Sequence, residues 1–240
     1  MASYSSNLKS STTRFGRWMH NRYHENVWAS LDVLGMDTVL DIGPYRGWLF
    51  EAMHKKGFSR NYYALDNSND VLDTIKSLGC MADHLFYREL PELDCGPFHR
   101  ILCCNVLEHL LPQTAFNTCC EIRGTLTSDG RAIFVVPDSI SMGWRFNFTE
   151  WQHQFWTTEE NVYNMLADAG LTTVGRINLC GPFKGTITGH LIMMFIGIIT
   201  SRWFPFGRLL RMWPRNKICE KLNKGLATLT ISHVFVTKRT

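Results

Sequence analysis

Apolar residues near the start of the chain recur at every third or fourth position, as they do on one face of a helix. The pattern runs from Arg14 to Leu34 and follows a Ser/Thr-rich stretch, residues 1–13. It predicts a flexible N-terminus and then a leading helix, which is placed to lie over a ligand site.

Four short β-branched or apolar runs come next, each followed by a longer amphipathic stretch. The runs are residues 38–43, 62–66, 100–105 and 131–138. Strands that alternate with helices at this spacing indicate an α/β fold with a parallel sheet and helices on both faces. Ligands of such sheets bind beyond the carboxyl ends of the strands.

A further helix is predicted between a capping box, formed by Thr157 or Thr158 with Glu160, and a stop at Gly170. Residues 171–179 and 231–239 then have the pattern of strands. The stretch between these strands has no counterpart in the alternating pattern, so we interpret it as an insertion.

The composition indicates one globular core, because 45% of the 240 residues are hydrophobic and 19% are charged. The formal net charge of +4 conceals an asymmetry. Residues 1–180 carry 15 basic and 20 acidic side chains, whereas residues 181–240 carry 10 basic side chains and one acid, Glu220. Such an asymmetry favours an anionic partner or surface for the C-terminal part.

Residues 191–213 of the insertion are strongly apolar and aromatic. The unbroken apolar part stops at Arg202, short of the roughly 18 residues that cross a bilayer, so we expect no spanning helix. The basic residues around it are Arg202, Arg208, Arg211, Arg215, Lys217, Lys221 and Lys224. Three roles stay open for residues 181–225: a lid, a dimer face, or docking of residues 185–225 to an anionic membrane. Nucleic acid is disfavoured as a partner because the charges accompany apolar surface.

The eight cysteines include two adjacent pairs, Cys103 with Cys104 and Cys119 with Cys120, inside apolar runs. No apolar secretory segment precedes them, so we expect buried thiols in a cytoplasmic protein that is peripheral to a membrane if the insertion docks there. No CxxC or Cys/His grouping has zinc spacing, and no metal is predicted.

Three motifs bear on a ligand site. In VLDIGPYRG, Asp41, Gly43 and Gly47 lie at a strand-to-helix turn, where glycine permits either close approach of a ligand or tight packing. In ALDNS, Asp66 ends the next strand, where a carboxylate accepts hydrogen bonds from ribose hydroxyls or simply forms a turn. NVLEHL begins at Asn105, directly after a later strand.

In this order the motifs resemble those of class I S-adenosylmethionine-dependent methyltransferases, the broad group with "LDIGxGxG" and then "LEHL". The resemblance covers residues 14–178 and the final strand. It implies a Rossmann-like seven-stranded mostly parallel sheet with helices on both faces, an antiparallel last strand, and a helical insertion before that strand. The methyltransferase domain would comprise residues 14–180 and 226–240.

The resemblance also implies roles for single residues in binding S-adenosylmethionine. Asp41, Gly43 and Gly47 match the turn around the methionine part, and Asp66 matches the acid that binds the ribose. Asn67 lies beside Asp66 near the adenine, and Asn105 matches the position near the methionine end. Asp83 is either the adenine-contacting acid of the third strand or a simple loop aspartate. The chain departs from the motif at one point, because Tyr45 replaces its middle glycine and follows Pro44.

Methyl transfer from a sulfonium needs mainly alignment and the exclusion of water, and a general base helps when the acceptor is a hydroxyl. His153, just before the late helix, is the candidate base or acceptor contact, with a loop anchor as the alternative. His109 is the second candidate for this catalytic role, and the favoured alternative for it is a structural role, packing and hydrogen bonding beneath the cofactor. An aromatic run either walls an acceptor pocket or closes the core; it comprises Trp144, Phe146, Phe148, Trp151, Phe155 and Trp156.

The expected function is therefore S-adenosylmethionine-dependent methyl transfer to an oxygen or nitrogen of a small-molecule or lipid-linked acceptor. The alternative is a non-catalytic scaffold with the same fold that binds a membrane or a protein partner, and Tyr45 is the residue that motivates it.

Overall fold

A computed structural model describes residues 14–35, 37–86, 96–142, 152–180, 183–184 and 231–240. The helices are α1 (Arg14–Leu31), α2 (Trp48–Lys55), α3 (Asn69–Ser77), α4 (Pro112–Thr125), the short α5 (Ser139–Met142) and α6 (Glu159–Asp168). The strands are β1 (Val39–Ile42), β2 (Tyr62–Leu65), β3 (Leu85–Phe86), β4 (Phe98–Cys104), β5 (Leu126–Pro137), β6 (Leu171–Cys180), β7 (Phe183–Lys184) and β8 (Ile231–Arg239). The predicted N-terminus (1–13) and most of the predicted insertion lie outside the described residues.

The strands of the described residues form one sheet in the order β3-β2-β1-β4-β5-β8-β6-β7. Strands β3, β2, β1, β4 and β5 run parallel, and β8 lies antiparallel between β5 and β6. The Rossmann-like, mostly parallel sheet with an antiparallel last strand is thereby confirmed. The two-residue β7, which pairs antiparallel with β6, adds an eighth strand at the edge.

Two apolar layers cover the faces of the sheet because side chains alternate along each strand. On one face, α4 and α6 pack against side chains that include Phe134 and Val136 of β5. On the other face, α1, α2 and α3 pack against side chains that include Ile133 and Val135 of the same strand. Both faces are covered, as expected for a parallel sheet.

The helix ends follow their local chemistry. Thr158 caps α6 by accepting a hydrogen bond from the backbone N–H of Asn161 at 3.2 Å, which confirms the predicted start. Gly170 follows α6 at φ +76°, which confirms the predicted stop. Helix α1 begins at Arg14 as predicted and ends at Leu31, three residues before the predicted Leu34.

A buried ion pair lies at the amino end of the sheet. The Arg100 guanidinium at the start of β4 lies 3.2 Å from the Asp37 carboxylate, and both residues are 7% exposed. Arg100 Nε also donates to the carbonyl of Leu31 at 3.0 Å, so the end of α1 is fastened to β4.

The cysteines of the described core are free thiols, as expected; they are Cys80, Cys103, Cys104, Cys119 and Cys120. Burial raises the pKa of Cys119 to about 12 and holds the pKa of Cys103 well above its ordinary value. The thiols of Cys103 and Cys119 are therefore protonated at neutral pH and behave as small apolar side chains.

The described helices include none that is both long enough and apolar enough to cross a bilayer.

Candidate active site

The candidate residues are brought together by the register of three neighbouring strands. Ile42 at the end of β1 pairs with Leu65 of β2 on one side and with Cys103 of β4 on the other. The residues that follow, Gly43 and Asp66, therefore lie side by side at the carboxyl edge of the sheet. The order of the strands reverses between β1 and β4, and ligands of open α/β sheets bind at such a switch point.

The turn after β1 needs glycine at two positions. Gly43 has φ +68°, and a Cβ built there would lie 2.5 Å from Val106 Cγ2. Gly47 has φ +71°, and a Cβ there would lie 2.6 Å from Ile75 Cδ1. The Gly43 N–H donates to the carbonyl of Leu65 at 2.9 Å and so anchors the turn on β2. The tight-packing explanation of the glycine pair is thereby confirmed, and the close approach of a ligand stays a prediction.

Tyr45 lies at the tip of this turn with φ +50° and is 45% exposed. The Arg46 guanidinium lies 5.2 Å from the centre of its ring. The neighbouring Pro44 is buried. The bulky loop expected from the sequence is therefore present, with an exposed ring in a backbone conformation that glycine would adopt without strain.

Asp66 is half-buried at the end of β2, and its Oδ1 accepts a hydrogen bond from the Ser68 N–H at 2.8 Å. Burial raises the pKa of its carboxyl to about 6, while the backbone N–H groups of Ser68 and Asn67 act in the opposite direction. A carboxylate has about four acceptor positions, so it has capacity for both hydroxyls of a ribose beyond the Ser68 bond. Asn67 is exposed beside it. This arrangement fits the sugar of an adenosyl group.

Asp41 pairs with Ala64, two strand positions before Asp66, and is 1% exposed. Its Oδ2 accepts a hydrogen bond from the Tyr62 hydroxyl at 2.8 Å. Burial raises the pKa of Asp41 to about 7, the Tyr62 hydrogen bond opposes this rise, and Asp66 adds to it. The hydrogen bond of Asp41 therefore joins the side chains of β1 and β2 inside the sheet.

Two further candidates lie at different edges of the sheet. Asn105 follows β4 at the carboxyl edge with φ +54°, and its N–H donates to the carbonyl of Val135 at 2.8 Å. Asp83 is exposed in the 3-10 turn Ala82–His84, which precedes β3 and so lies at the amino end of that strand. The structure therefore groups Asn105 with Gly43 and Asp66 and keeps Asp83 apart from them.

The leading helix reaches this edge through Tyr23. Burial raises the pKa of Tyr23 well above its ordinary value, and Cys104, Asn105, Glu108 and Ser232 lie close enough to influence it. Helix α1 thus reaches the carboxyl end of β4, and its position over a ligand site stays a prediction.

The two candidate histidines lie close together near the carboxyl edge of the sheet. His109 ends the 3-10 turn Leu107–His109, and its ring centre lies 5.0 Å from that of His153. The side chain of Glu108 joins them, so that donor atoms of all three residues lie within 4.8 Å of one another. Such a set of donors is able to hold a metal ion. Sequence reasoning missed Glu108, although the NVLEHL motif places it next to His109.

The aromatic run is described only at its end, since Trp144, Phe146, Phe148 and Trp151 lie outside the described residues. Phe155 and Trp156 line an open groove of about 510 Å³ between the start of α4 and α6. Phe116 and Asn161 also line the groove. The segment that follows His153 therefore borders a partly apolar surface.

Comparison with known proteins places this geometry in context. A family described as "Methyltransferase domain" matches residues 13–175. No curated protein sequence is significantly similar to the chain. Many solved structures share the fold.

Three of these structures illustrate the likeness. A SAM-dependent methyltransferase from Archaeoglobus fulgidus has a TM-score of 0.62 at 16% identity, over 93% of this chain and 94% of that one. Magnesium protoporphyrin IX methyltransferase from Synechocystis, with bound S-adenosylhomocysteine, has a TM-score of 0.58 at 14% identity, over 93% and 85%. The cyclopropane synthase MmaA2 from Mycobacterium tuberculosis has a TM-score of 0.61 at 15% identity, over 97% and 87%.

Proposed function

The chain belongs to the methyltransferase-domain family, and from this premise we propose that it transfers a methyl group to an oxygen or nitrogen of a small-molecule or lipid-linked acceptor. S-adenosylmethionine, the cofactor expected from the sequence, is confirmed by the family and by the structural neighbours that bind it. The cofactor supplies a methyl group already activated by the positive sulfur.

The observation that carries the proposal is the row formed by Gly43, Asp66 and Asn105 at the switch point of the sheet. The carboxylate of Asp66 accepts hydrogen bonds from the ribose hydroxyls of the cofactor. The glycine turn brings the backbone close to the methionine part of the cofactor. In-line displacement then depends on alignment, which these rigidly anchored strand ends provide.

Acceptor activation is assigned to the cluster of Glu108, His109 and His153. Glu108 and His109 follow β4, so the cluster adjoins Asn105, the residue of the row that is proposed to lie near the methionine part of the cofactor. A hydroxyl acceptor has to lose its proton during transfer, and a group that promotes this loss typically contributes about a hundredfold to ten-thousandfold in rate. One structural neighbour is a magnesium protoporphyrin IX methyltransferase and another is the mycolic acid cyclopropane synthase CmaA1, which supports an apolar or lipid-linked acceptor.

Calorimetric titration with S-adenosylhomocysteine tests the proposal. We expect saturable binding by the wild-type protein and binding at least about tenfold weaker for Asp66→Asn, because a hydrogen bond to a charged group contributes about 1.5–3 kcal/mol. Asp83→Asn removes an equivalent carboxylate at the other edge and should bind like the wild type. Absence of binding by folded wild-type protein at millimolar ligand would contradict the proposal.

The same titration has a pH dependence. The carboxyl of Asp66 has a pKa of about 6, so it is charged above that pH and neutral below it. Affinity should therefore fall as the pH decreases through about 6, and Asp66→Asn should lack this fall. If the affinities of the wild type and Asp66→Asn changed in parallel with pH, Asp66 would not be a residue that binds the cofactor.

The scaffold alternative rests on Tyr45 and is tested with one more variant. Because the Tyr45 ring is exposed, Tyr45→Gly should leave the affinity within about threefold of the wild-type value. Binding gained only in Tyr45→Gly would favour a non-catalytic scaffold.

A further inference from the structure

Glu108, His109 and His153 form a compact set of donors that methyl transfer in itself does not require. Glu108 and His109 are adjacent in the turn after β4, and His153 lies on the segment before α6. One ligand atom from each of the three side chains lies within 4.8 Å of the other two. Donors around a bound transition metal, at about 2.1 Å from the ion, are about 3–4 Å apart. A closure of about 1 Å by the side chains would complete such a shell.

The chemistry of the donors selects a class of ion. Two imidazole nitrogens and one carboxylate oxygen suit manganese, iron, cobalt or zinc in the divalent state, whereas magnesium and calcium prefer oxygen donors alone. Three protein ligands leave a coordination position open, which distinguishes a site that receives a substrate from a closed structural site.

The backbone holds the two ligand-bearing segments in a fixed relation. The N–H of Gln154 donates to the carbonyl of Glu108 at 2.7 Å, which joins the residue after His153 directly to the 3-10 turn. Thr157 Oγ1 donates to the carbonyl of Pro137 at 2.5 Å, and the N–H of Ser139 donates to the carbonyl of Thr157 at 2.9 Å. Both segments are therefore anchored on the ends of neighbouring strands, a frame that is organised before any ligand arrives.

Burial gives the carboxylate a reason to bind a cation. Glu108 is 1% exposed, whereas His109 and His153 are half-buried. Removing a carboxylate from water costs free energy that a nearby positive charge offsets. A divalent ion between Glu108 and the two imidazoles would be one such charge.

The cluster of Glu108, His109 and His153 also lies next to the turn that contains Gly43. Val106, two residues before Glu108, is the side chain that a Cβ on Gly43 would meet at 2.5 Å. The turn that carries Glu108 and His109 is thus packed directly against the turn that holds the methionine part of the cofactor.

We propose that Glu108, His109 and His153 bind a divalent transition-metal ion, whose open position takes an oxygen of the acceptor. Metal binding stands on this geometry alone, whereas the role toward the acceptor rests on the proposed function. A coordinated hydroxyl releases its proton to water more readily. The oxygen then forms a bond to the methyl carbon while the carbon–sulfur bond breaks and its electron pair returns to sulfur.

Cobalt(II) provides a test with a readout that does not depend on turnover. The full-length protein, freed of metal with a chelator, is titrated with cobalt(II) while its visible absorption is recorded. We expect one equivalent to bind with a saturable spectrum. His109→Gln and His153→Gln should each weaken binding by about a hundredfold, since each removes one of three ligands. His54→Gln removes an exposed histidine on α2 and should bind like the wild type.

Thermal unfolding of each variant verifies that it is folded, and S-adenosylhomocysteine titrations are made on the same samples. A wild-type protein that binds S-adenosylhomocysteine but gives no saturable cobalt spectrum would overturn the metal site alone. The metal site would also be overturned if His153→Gln and His54→Gln bound cobalt equally well. A saturable cobalt spectrum without S-adenosylhomocysteine binding would instead contradict the proposed function.

Discussion

At the residue scale, Gly43 has two separate reasons to be glycine. Its φ of +68° disfavours a side chain, and a Cβ would lie 2.5 Å from Val106 Cγ2. Gly57 has the same kind of backbone, at φ +80°, but nothing lies within 4 Å of a Cβ built there. Alanine substitutions at Gly43 and Gly57 therefore separate the cost of backbone strain from the cost of steric overlap.

We expect Gly57→Ala to lower the free energy of unfolding by about 1 kcal/mol, the typical penalty of a left-handed conformation. Gly43→Ala should lower it by about 1–3 kcal/mol more, because the Val106 side chain and the turn have to move. Urea denaturation of both variants measures the difference. Equal losses in the free energy of unfolding would mean that the Val106 side chain moves aside without an energetic cost.

The buried pair of Asp41 and Tyr62 predicts a pH dependence of stability. The pKa of Asp41 is about 7 in the folded protein, whereas the ordinary value for an aspartate side chain, which applies to the unfolded chain, is 3.8. Between these values the unfolded chain loses a proton that the folded protein keeps, so stability decreases as the pH rises. The loss of stability from this group is on the order of 2–4 kcal/mol and is complete above pH 7.

Asp41→Asn removes the titration and keeps an oxygen that accepts the hydrogen bond from Tyr62. Its free energy of unfolding should therefore fall less than that of the wild type between pH 5 and pH 8, whatever the effect of the substitution at a single pH. The two profiles are obtained by urea denaturation. Profiles that run parallel would show that Asp41 is already charged in the folded protein at pH 5.

At the element scale, the ion pair of Arg100 and Asp37 fastens the end of α1 to the start of β4. Arg100→Met keeps the apolar stem but leaves a buried carboxylate without its guanidinium, so we expect a loss of about 3–5 kcal/mol in the free energy of unfolding. The exposed pair of Arg176 and Glu159, with side chains 52% and 43% exposed, is the matched control. Arg176→Met should cost less than about 1 kcal/mol. Similar losses would indicate that water reaches the inner pair.

The elements that the sequence predicts well are those with a long pattern. Strands β1, β2, β4 and β5 and helix α6 were predictable because alternation, helical periodicity or a cap extends over several residues. Strand β3 comprises only Leu85–Phe86, too short for any periodicity, so its start after Asp83 could not be located. For that reason the sequence suggested Asp83 as a neighbour of the adenine although it precedes the strand.

The candidate site shows the same division. Gly43, Asp66 and Asn105 are predictable because each follows a strand whose direction is known. The approach of His153 to Glu108 depends on the hydrogen bond from the Gln154 N–H to the Glu108 carbonyl, a contact between segments far apart in sequence. No local pattern encodes such a contact, and the cluster was accessible only from the fold.

At the scale of the whole molecule, the uneven charge supports a membrane-binding proposal. Residues 1–180 have a net charge of −5, and residues 181–240 have a net charge of +9. We expect the protein to float with vesicles that contain phosphatidylglycerol and not with vesicles of phosphatidylcholine alone. Replacement of Lys217, Lys221 and Lys224 by Gln should weaken this binding by about a hundredfold, at about 1 kcal/mol for each lysine near the surface.

The matched control replaces three exposed lysines of the described residues, Lys55, Lys76 and Lys238, by Gln. This variant has the same net charge as the first one and should float like the wild type. Equal flotation of the two variants and the wild type would contradict docking through the basic segment and would leave a lid or a dimer face as its role.

The antiparallel position of β8 fixes where residues 185–230 leave the sheet and return to it. Cys180 of β6 pairs with Phe183 of β7 and with Ile231 of β8, so both ends of that stretch meet the same strand. Because β6 runs parallel to β5, this meeting point lies at the carboxyl edge of the sheet, where Gly43 and Asp66 also lie. Because the strands on either side pair through their own hydrogen bonds, we expect changes in the length of this stretch to preserve the strand pairing. We therefore expect variation in residues 185–230 to alter acceptor recognition while the strands that carry the candidate site for the methyl donor stay the same.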